Sequence, residues 1–254
     1  MSNWNLKGKN ALLTGGTKGI GRAIVEEFVN LGAAVIFTAR DVVAVNEMER
    51  EFQATGAEVF GIVADASHPQ DQEKLLEFVE NKWSKLHILV NNAGTNIRKS
   101  TIDYTKEEYR KVIETNFFSA FELCRLAYPL LKASKNSSVI NIASVAGQYD
   151  VGTGSPYATS KAAMIQLSRN LAVEWAKDKI RVNTVSPWFT VTPLTDGYLS
   201  NIEKLKQITD RTPIGRIAHA EEVASVVAFL AMDKASYVSG QHIMTDGALT
   251  AGIF

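Results

Sequence analysis

Seven residues near the start of the chain, Gly15-Gly16-Thr17-Lys18-Gly19-Ile20-Gly21, join two segments of different periodicity. Before them lies the short apolar run NALLT at 10–14; after them AIVEEFVNLG at 23–32 repeats apolar residues at helical spacing. The stretch reads as strand, tight turn and helix. It places Gly15, Gly19 and Gly21 where the backbone must bend sharply, come close to a ligand and let the helix pack against the strand. Glycines of this kind can serve a turn alone. With a strand before them and a helix after them, they also aim the first helical amides at a pyrophosphate, which the helix dipole favours.

The rest of the chain continues the alternation. A second strand, AAVIFTAR at 33–40, ends where such a fold contacts the adenosine ribose. An acidic residue there would suit NAD(H); this chain has Ala39 and then Arg40, with a second cation, Lys18, in the glycine turn. Two cations suit a 2′-phosphate, so the expected cofactor is NADP(H). A one-residue shift would turn the Asp41 carboxylate inward and favour NAD(H). A helical segment at 42–56 precedes a third strand, AEVFGIVADAS at 57–67, whose Asp65 would reach the adenine edge or cap the helix expected at 70–83. The fourth strand, HILVNNAG at 87–94, presents Asn92, Ala93 and Gly94 at its carboxyl end, the edge where open parallel sheets bind ligands.

A helix from about 106 to 131 contains Asn116, a poor mid-helix residue whose amide competes for backbone hydrogen bonds. The fifth strand, SSVINIAS at 137–144, delivers Ser144 at its end. The loop 145–156 has three glycines, and Pro156 introduces a helix near Tyr157. Tyr157 and Lys161 are four residues apart and so share one helical face. A sixth strand, IRVNTVSP at 180–187, leads into WFTVTPLTDGYL; a helix at about 220–232 and a last strand, GQHIMTDG at 240–247, complete the chain. Strands alternating with helices throughout predict an α/β fold: a single Rossmann-type doubly wound parallel sheet of about seven strands, with helices on both faces, in one domain spanning 1–254.

Composition narrows the partners. The 254 residues are 46% hydrophobic and 21% charged, with 27 basic and 27 acidic side chains, so no global field favours nucleic acid or an anionic membrane. Cys124 is a lone cysteine, and the four histidines lack ligand spacing, so neither a disulfide framework nor a metal site is expected. The start MSNWNLKGKN lacks a signal peptide, and the apolar run Val223 to Met232 is shorter than the roughly 20 residues that span a bilayer. A cytoplasmic protein with a small-molecule substrate is the expectation.

Taken together, TGGTKGIG at 14–21, NNAG at 91–94, Asn116, Ser144, YATSK at 157–161 and SGQHIMTDGA at 239–248 resemble the short-chain dehydrogenase/reductase family over the whole length. The segment PWFTVTPL at 187–194 is most similar to the tropinone-reductase-like branch, although Trp188 stands where the family commonly has glycine.

The resemblance implies a catalytic tetrad of Asn116, Ser144, Tyr157 and Lys161. Tyr157 would be the general acid, Ser144 a hydrogen-bond donor to the substrate oxygen, Lys161 the cation that lowers the phenol pKa and holds the nicotinamide ribose, and Asn116 the holder of a helix kink and a proton-relay water. A unit charge about 4 Å away at an effective dielectric of about 20 contributes about 4 kcal/mol, or about 3 pKa units, before screening and desolvation reduce it.

The implied cofactor contacts are Gly15, Thr17, Lys18, Gly19, Ile20, Gly21, Arg40, Asp65, Ala66, Asn92, Ala93, Gly94, Tyr157, Lys161, Pro187, Thr190 and Thr192, the last two at the carboxamide. Residues 188–215 would form a lid, with Ser144, Tyr149, Tyr157, Trp188 and Tyr198 at the substrate and Phe189, Leu194, Leu199 and Ile97 as further apolar candidates.

No cation is evidently placed to grip a carboxylate, which points to a largely apolar ketone. The implied activity is an NADPH-dependent carbonyl reductase, reversible as an alcohol dehydrogenase. The alternatives are 3-oxoacyl-thioester reduction and a non-catalytic dinucleotide sensor; a serine hydrolase is excluded because Ser144 lacks both the G-x-S-x-G elbow and a nearby histidine. The family also implies a homotetramer.

Overall fold

A computed structural model describes residues 4–252, so 1–3 and 253–254 of the expected domain lie outside it. The first half runs β1 (Asn10–Thr14), α1 (Gly19–Asn30), β2 (Ala34–Ala39), α2 (Val42–Gln53), β3 (Val59–Val63), α3 (Pro69–Trp83) and β4 (Ile88–Asn91). The second half runs α4 (Lys106–Ile113), α5 (Ser119–Ala133), β5 (Ser137–Ile142), α6 (Ser155–Glu174), β6 (Ile180–Pro187), α7 (Asp196–Leu199), α8 (Ile202–Arg211), α9 (Ala220–Ala231) and β7 (His242–Thr245).

All strands pair parallel in one seven-stranded sheet of order β3-β2-β1-β4-β5-β6-β7. The order reverses between β1 and β4, where Leu13 lies beside Val90. A reversal opens a crevice at the carboxyl ends of these two strands, because the helices leaving them depart to opposite faces.

The strand sequences explain the layering. Ala11, Leu13, Val35 and Phe37 point to one side, where they pack with Phe28 of α1 and Val227 of α9. Their neighbours Leu12 and Ile36 point to the other, against Leu75 of α3, Leu123 of α5 and Leu171 of α6. Both faces are therefore buried, as the near-continuous apolar runs require.

Three expected boundaries change. The helix from about 106 to 131 is interrupted by a π turn, Glu114–Phe118, that holds Asn116 fully buried. Asn116 Oδ1 accepts from the Thr95 amide at 2.7 Å while its Nδ2 donates to the Thr95 carbonyl at 2.9 Å. The wider turn lets the side chain pair with that loop backbone as a neighbouring strand would. Second, β5 ends at Ile142, so Ser144 lies two residues beyond it, where its Oγ accepts from Ala146 N at 3.2 Å and caps a short turn, Val145–Gly147. Third, α6 begins at Ser155 with Pro156 in its first turn, which puts Tyr157 inside that turn.

Candidate active site

The carboxyl ends of β1, β4, β5 and β6 open on one cleft of about 360 Å³, and every residue expected to touch the cofactor lines it. Along its floor, Asn92 fastens the glycine turn to β4: Nδ2 donates to the Thr14 and Gly15 carbonyls at 3.0 and 2.9 Å. Thr14 Oγ1 in turn accepts from the amides of Asn92 and Ala93 at 3.1 and 3.0 Å.

The cradle fits a phosphate group. Lys18 at the N-cap of α1 is extended and makes no side-chain cap, and no acidic residue occupies the first turn, so no side chain answers the leading amides. Gly15 takes a left-handed φ of 73°, and a Cβ on Gly21 would lie 1.9 Å from the Gly15 carbonyl oxygen. Gly21→Ala is therefore expected to destabilise the protein by about 2 kcal/mol, lowering its melting temperature by about 4–8 °C and weakening dinucleotide binding in the same measurements. An unchanged melting temperature would show that the turn can relax.

At the ribose edge Arg40 Nη1 lies 3.8 Å from Asp65 Oδ2. Burial alone would raise the Asp65 pKa, but hydrogen bonds from the Ser67 hydroxyl and amide and the Arg40 charge outweigh it and hold it below the ordinary carboxylate value. Asp41 lines the same edge, with its Oδ1 accepting from Val43 N and Ala44 N at 3.0 and 3.2 Å as the N-cap of α2.

At the other end of the cleft stand Ser144, Tyr157 and Lys161. Lys161 is 3% exposed; its Nζ donates to the Ile142 carbonyl at 2.8 Å and sits 5.8 Å from the centre of the Tyr157 ring. Burial pushes this amine down from 10.5 to about 8. Burial also raises the Tyr157 phenol above 10, although the Ser144 hydroxyl and the Arg98 charge both pull it down. Burial disfavours the charged form of both groups, and the groups that pull the phenol down are Ser144 and Arg98.

Asn116 lies behind the cleft, not in its wall. Its Nδ2 also donates to Ser160 Oγ at 3.1 Å, so it ties the loop after β4 to the helix that carries Tyr157 and Lys161. Trp188 does line the cleft, held by Nε1 on Thr212 Oγ1 at 3.1 Å and edge-on to Phe189. Phe189 and Leu194 join it there. Tyr149 and Tyr198 instead line an adjoining cavity behind Trp188 and Phe189, and Ile97 and Leu199 line neither. Ile97 contributes only its carbonyl, which accepts from the Tyr104 hydroxyl.

The sequence reading missed Arg98, which lines the cleft together with Asn96, Val151 and Thr153. Its position four residues after Gly94, in the loop leaving a central strand, was the available signal.

Among the described residues, no group of three or more His, Cys, Asp or Glu could hold a metal ion, and no helix is long and apolar enough to cross a membrane. Cys124 is buried, takes a hydrogen bond from Asn91 Nδ2 at 3.3 Å, and burial pushes its thiol up to about 12.

Comparison with known proteins agrees with this geometry. A family model described as enoyl-(acyl carrier protein) reductase matches residues 15–250. A tropinone reductase homologue of Arabidopsis thaliana is 47% identical over 252 residues, covering 99% of this chain and 96% of that protein. Among solved structures, a gluconate 5-dehydrogenase from Burkholderia cenocepacia in complex with NADP and tartrate superposes with a TM-score of 0.95 at 26% identity, covering 99% of both chains. A short-chain type dehydrogenase/reductase from Mycobacterium marinum superposes with a TM-score of 0.92 at 29% identity, covering 98% of both. With the parallel sheet, the glycine cradle and the Ser-Tyr-Lys end of the cleft in hand, these matches place the chain in the short-chain dehydrogenase/reductase family.

Proposed function

We propose that this protein is an NADP(H)-dependent carbonyl reductase, reversible as an alcohol dehydrogenase. The observation that carries the reading is continuity: the glycine cradle of β1 and the Ser144, Tyr157 and Lys161 side chains line one cleft. When bound, the nicotinamide supplies the hydride. Tyr157 gives its proton to the carbonyl oxygen, and its raised pKa keeps that proton in place at neutral pH. Ser144 Oγ already accepts from Ala146 N, which leaves its own proton free to donate to the same oxygen as charge grows there. Lys161, buried beside the phenol, orients the ribose and supports the positive field on which a phenolate depends in the oxidative direction. Asn116 fixes the distance between the β4 loop and α6. Residues 188–215 act as the lid, with Trp188 at its base and Thr190 and Thr192 at the carboxamide.

Arg40 and Lys18 hold the 2′-phosphate, while one oxygen of Asp41 is spent on capping α2. Arg40→Asp is expected to shift the ratio of kcat/KM for NADPH over NADH by about tenfold to a hundredfold towards NADH, the scale of one lost charge-assisted contact. Steady-state kinetics with both cofactors give the ratio; an unchanged value would remove Arg40 from phosphate recognition.

The relatives' names diverge on substrate, tropinone for the curated relative and gluconate for the structural one. The side chains of this cleft therefore have to decide the substrate class.

A further inference from the structure

We infer that the substrate is a ketone bearing an anionic group, and that Arg98 grips that group across the mouth of the cleft with Lys204 of the lid beside it. The inference rests on the carbonyl-reductase reading and refines it, replacing the expectation of a largely apolar ketone.

Three observations converge on this. Arg98 stands on the wall shared by the reaction cleft and a neighbouring cavity, and that cavity is lined by Arg98, Lys99 and Lys204 with no carboxylate. Lys99 is paired with Glu108, but neither Arg98 nor Lys204 has a carboxylate within ion-pair distance among the described residues. A guanidinium with five donors and no protein acceptor, facing a cavity, is positioned for a ligand carboxylate or phosphate, whose oxygens match its fork.

The third observation concerns the lid. The Tyr198 ring has Arg98 Cζ 4.9 Å from its centre, Lys204 Nζ at 4.4 Å, and the Phe189 ring stacked at 5.4 Å. Attraction to one ring gathers both cations about Tyr198 on the same cavity, and an anion bound there would offset their mutual repulsion. Tyr198 thereby acquires a role other than the one expected for it: it orients the two cations and links them through Phe189 to Trp188 at the base of the lid. Arg98 also lies near enough to Tyr157 for its charge to favour the phenolate, so the anionic end of a bound substrate sits on the same side of the cleft as its carbonyl.

The test compares linear oxo acids with their methyl esters, using NADPH and purified wild-type, Arg98→Gln, Arg98→Lys and Lys204→Gln proteins. Wild type is expected to favour some chain length of acid over its ester by about tenfold or more in kcat/KM, through KM. Arg98→Gln should collapse that ratio to near one, Arg98→Lys should restore part of it, and Lys204→Gln should reduce it less. A second readout needs no turnover: glutarate should raise the melting temperature of the wild-type protein mixed with NADP+ and lose that effect in Arg98→Gln. A phosphorylated ketone that outperforms every acid, with the same dependence on Arg98, would support the site and identify its anion as phosphate. If esters are reduced as well as acids, or if the acid-to-ester ratio and the glutarate shift both survive Arg98→Gln, the inference is overturned. If no ketone is reduced while glutarate still stabilises only the Arg98 protein, the anion site stands and the carbonyl-reductase reading fails.

Discussion

Tyr157→Phe is expected to lower kcat/KM for carbonyl reduction by about a thousandfold or more while leaving NADPH affinity within about twofold, since general acid catalysis contributes roughly a hundredfold to ten-thousandfold. The substitution removes one oxygen and keeps the ring, so the packing of the first turn of α6 survives. The effect is large because no substitute donor is at hand. Lys161 holds the Ile142 carbonyl with one of its three donors and serves the ribose with another, and the Ser144 hydroxyl is far too weak an acid to give up its proton. Ser144→Ala, which deletes a hydrogen bond to the oxygen and no proton source, should cost about a hundredfold, a smaller loss in the same assay. Steady-state turnover with a ketone panel and fluorescence titration with NADPH separate the two effects. Residual turnover above a tenth of wild type in Tyr157→Phe would assign the proton to another group.

How much of this site was legible in the sequence depends on the range of the interactions that build each part. The strand–turn–helix at 10–32 is largely local: Gly15 takes a left-handed φ and a Cβ on Gly21 would strike the Gly15 carbonyl oxygen within the same turn, so spacing alone revealed it. The residues expected at the cofactor followed, because a parallel α/β alternation forces every strand's carboxyl end to one edge, and naming the strand ends names the cleft. Asn116 was visible as an oddity in a helix, but its π turn answers to Thr95 and Ser160, neither of them on its own helix. Arg98 was overlooked for a different reason. In sequence it looks like any solvated loop cation, and only the fold shows that Lys99 has a carboxylate partner while Arg98 has none. That Tyr198 lines the adjoining cavity was not legible, because aromatic packing with Phe189 and Trp188 places it and leaves no periodic trace. The phenol's electrostatics turn on dielectric as well as distance: an i, i+4 spacing fixes how close Lys161 comes to Tyr157 but not how dry the pocket between them is.

That dryness gives the second large effect. Lys161→Met is expected to reduce turnover by about a thousandfold and, in the cofactor-free protein at neutral pH, to raise stability. Burial pushes the Lys161 pKa from 10.5 to about 8, and a displacement of that size corresponds to about 3 kcal/mol of penalty for holding the charge inside. Methionine fills similar space without charge but leaves the Ile142 carbonyl without its donor, at about 1 kcal/mol, so the net gain is about 2 kcal/mol. The sign with pH follows from proton counting. Between about 8 and 10.5 the unfolded lysine holds a proton that the folded one has released, so the wild-type protein gains stability as pH rises through that window. Tyr157 acts in the opposite sense above pH 10, where the folded phenol keeps a proton the unfolded one loses and stability falls with rising pH. The advantage of Lys161→Met should therefore be full below pH 8, shrink across the window and reverse near its upper end, where the neutral amine still serves the Ile142 carbonyl. Urea unfolding of both proteins from about pH 6 to 10 measures the difference directly. A variant no more stable than wild type at pH 7 would mean that water reaches Nζ. A crossing would show that the fold sustains an unfavourable charge at the point where the phenol and the substrate oxygen require one.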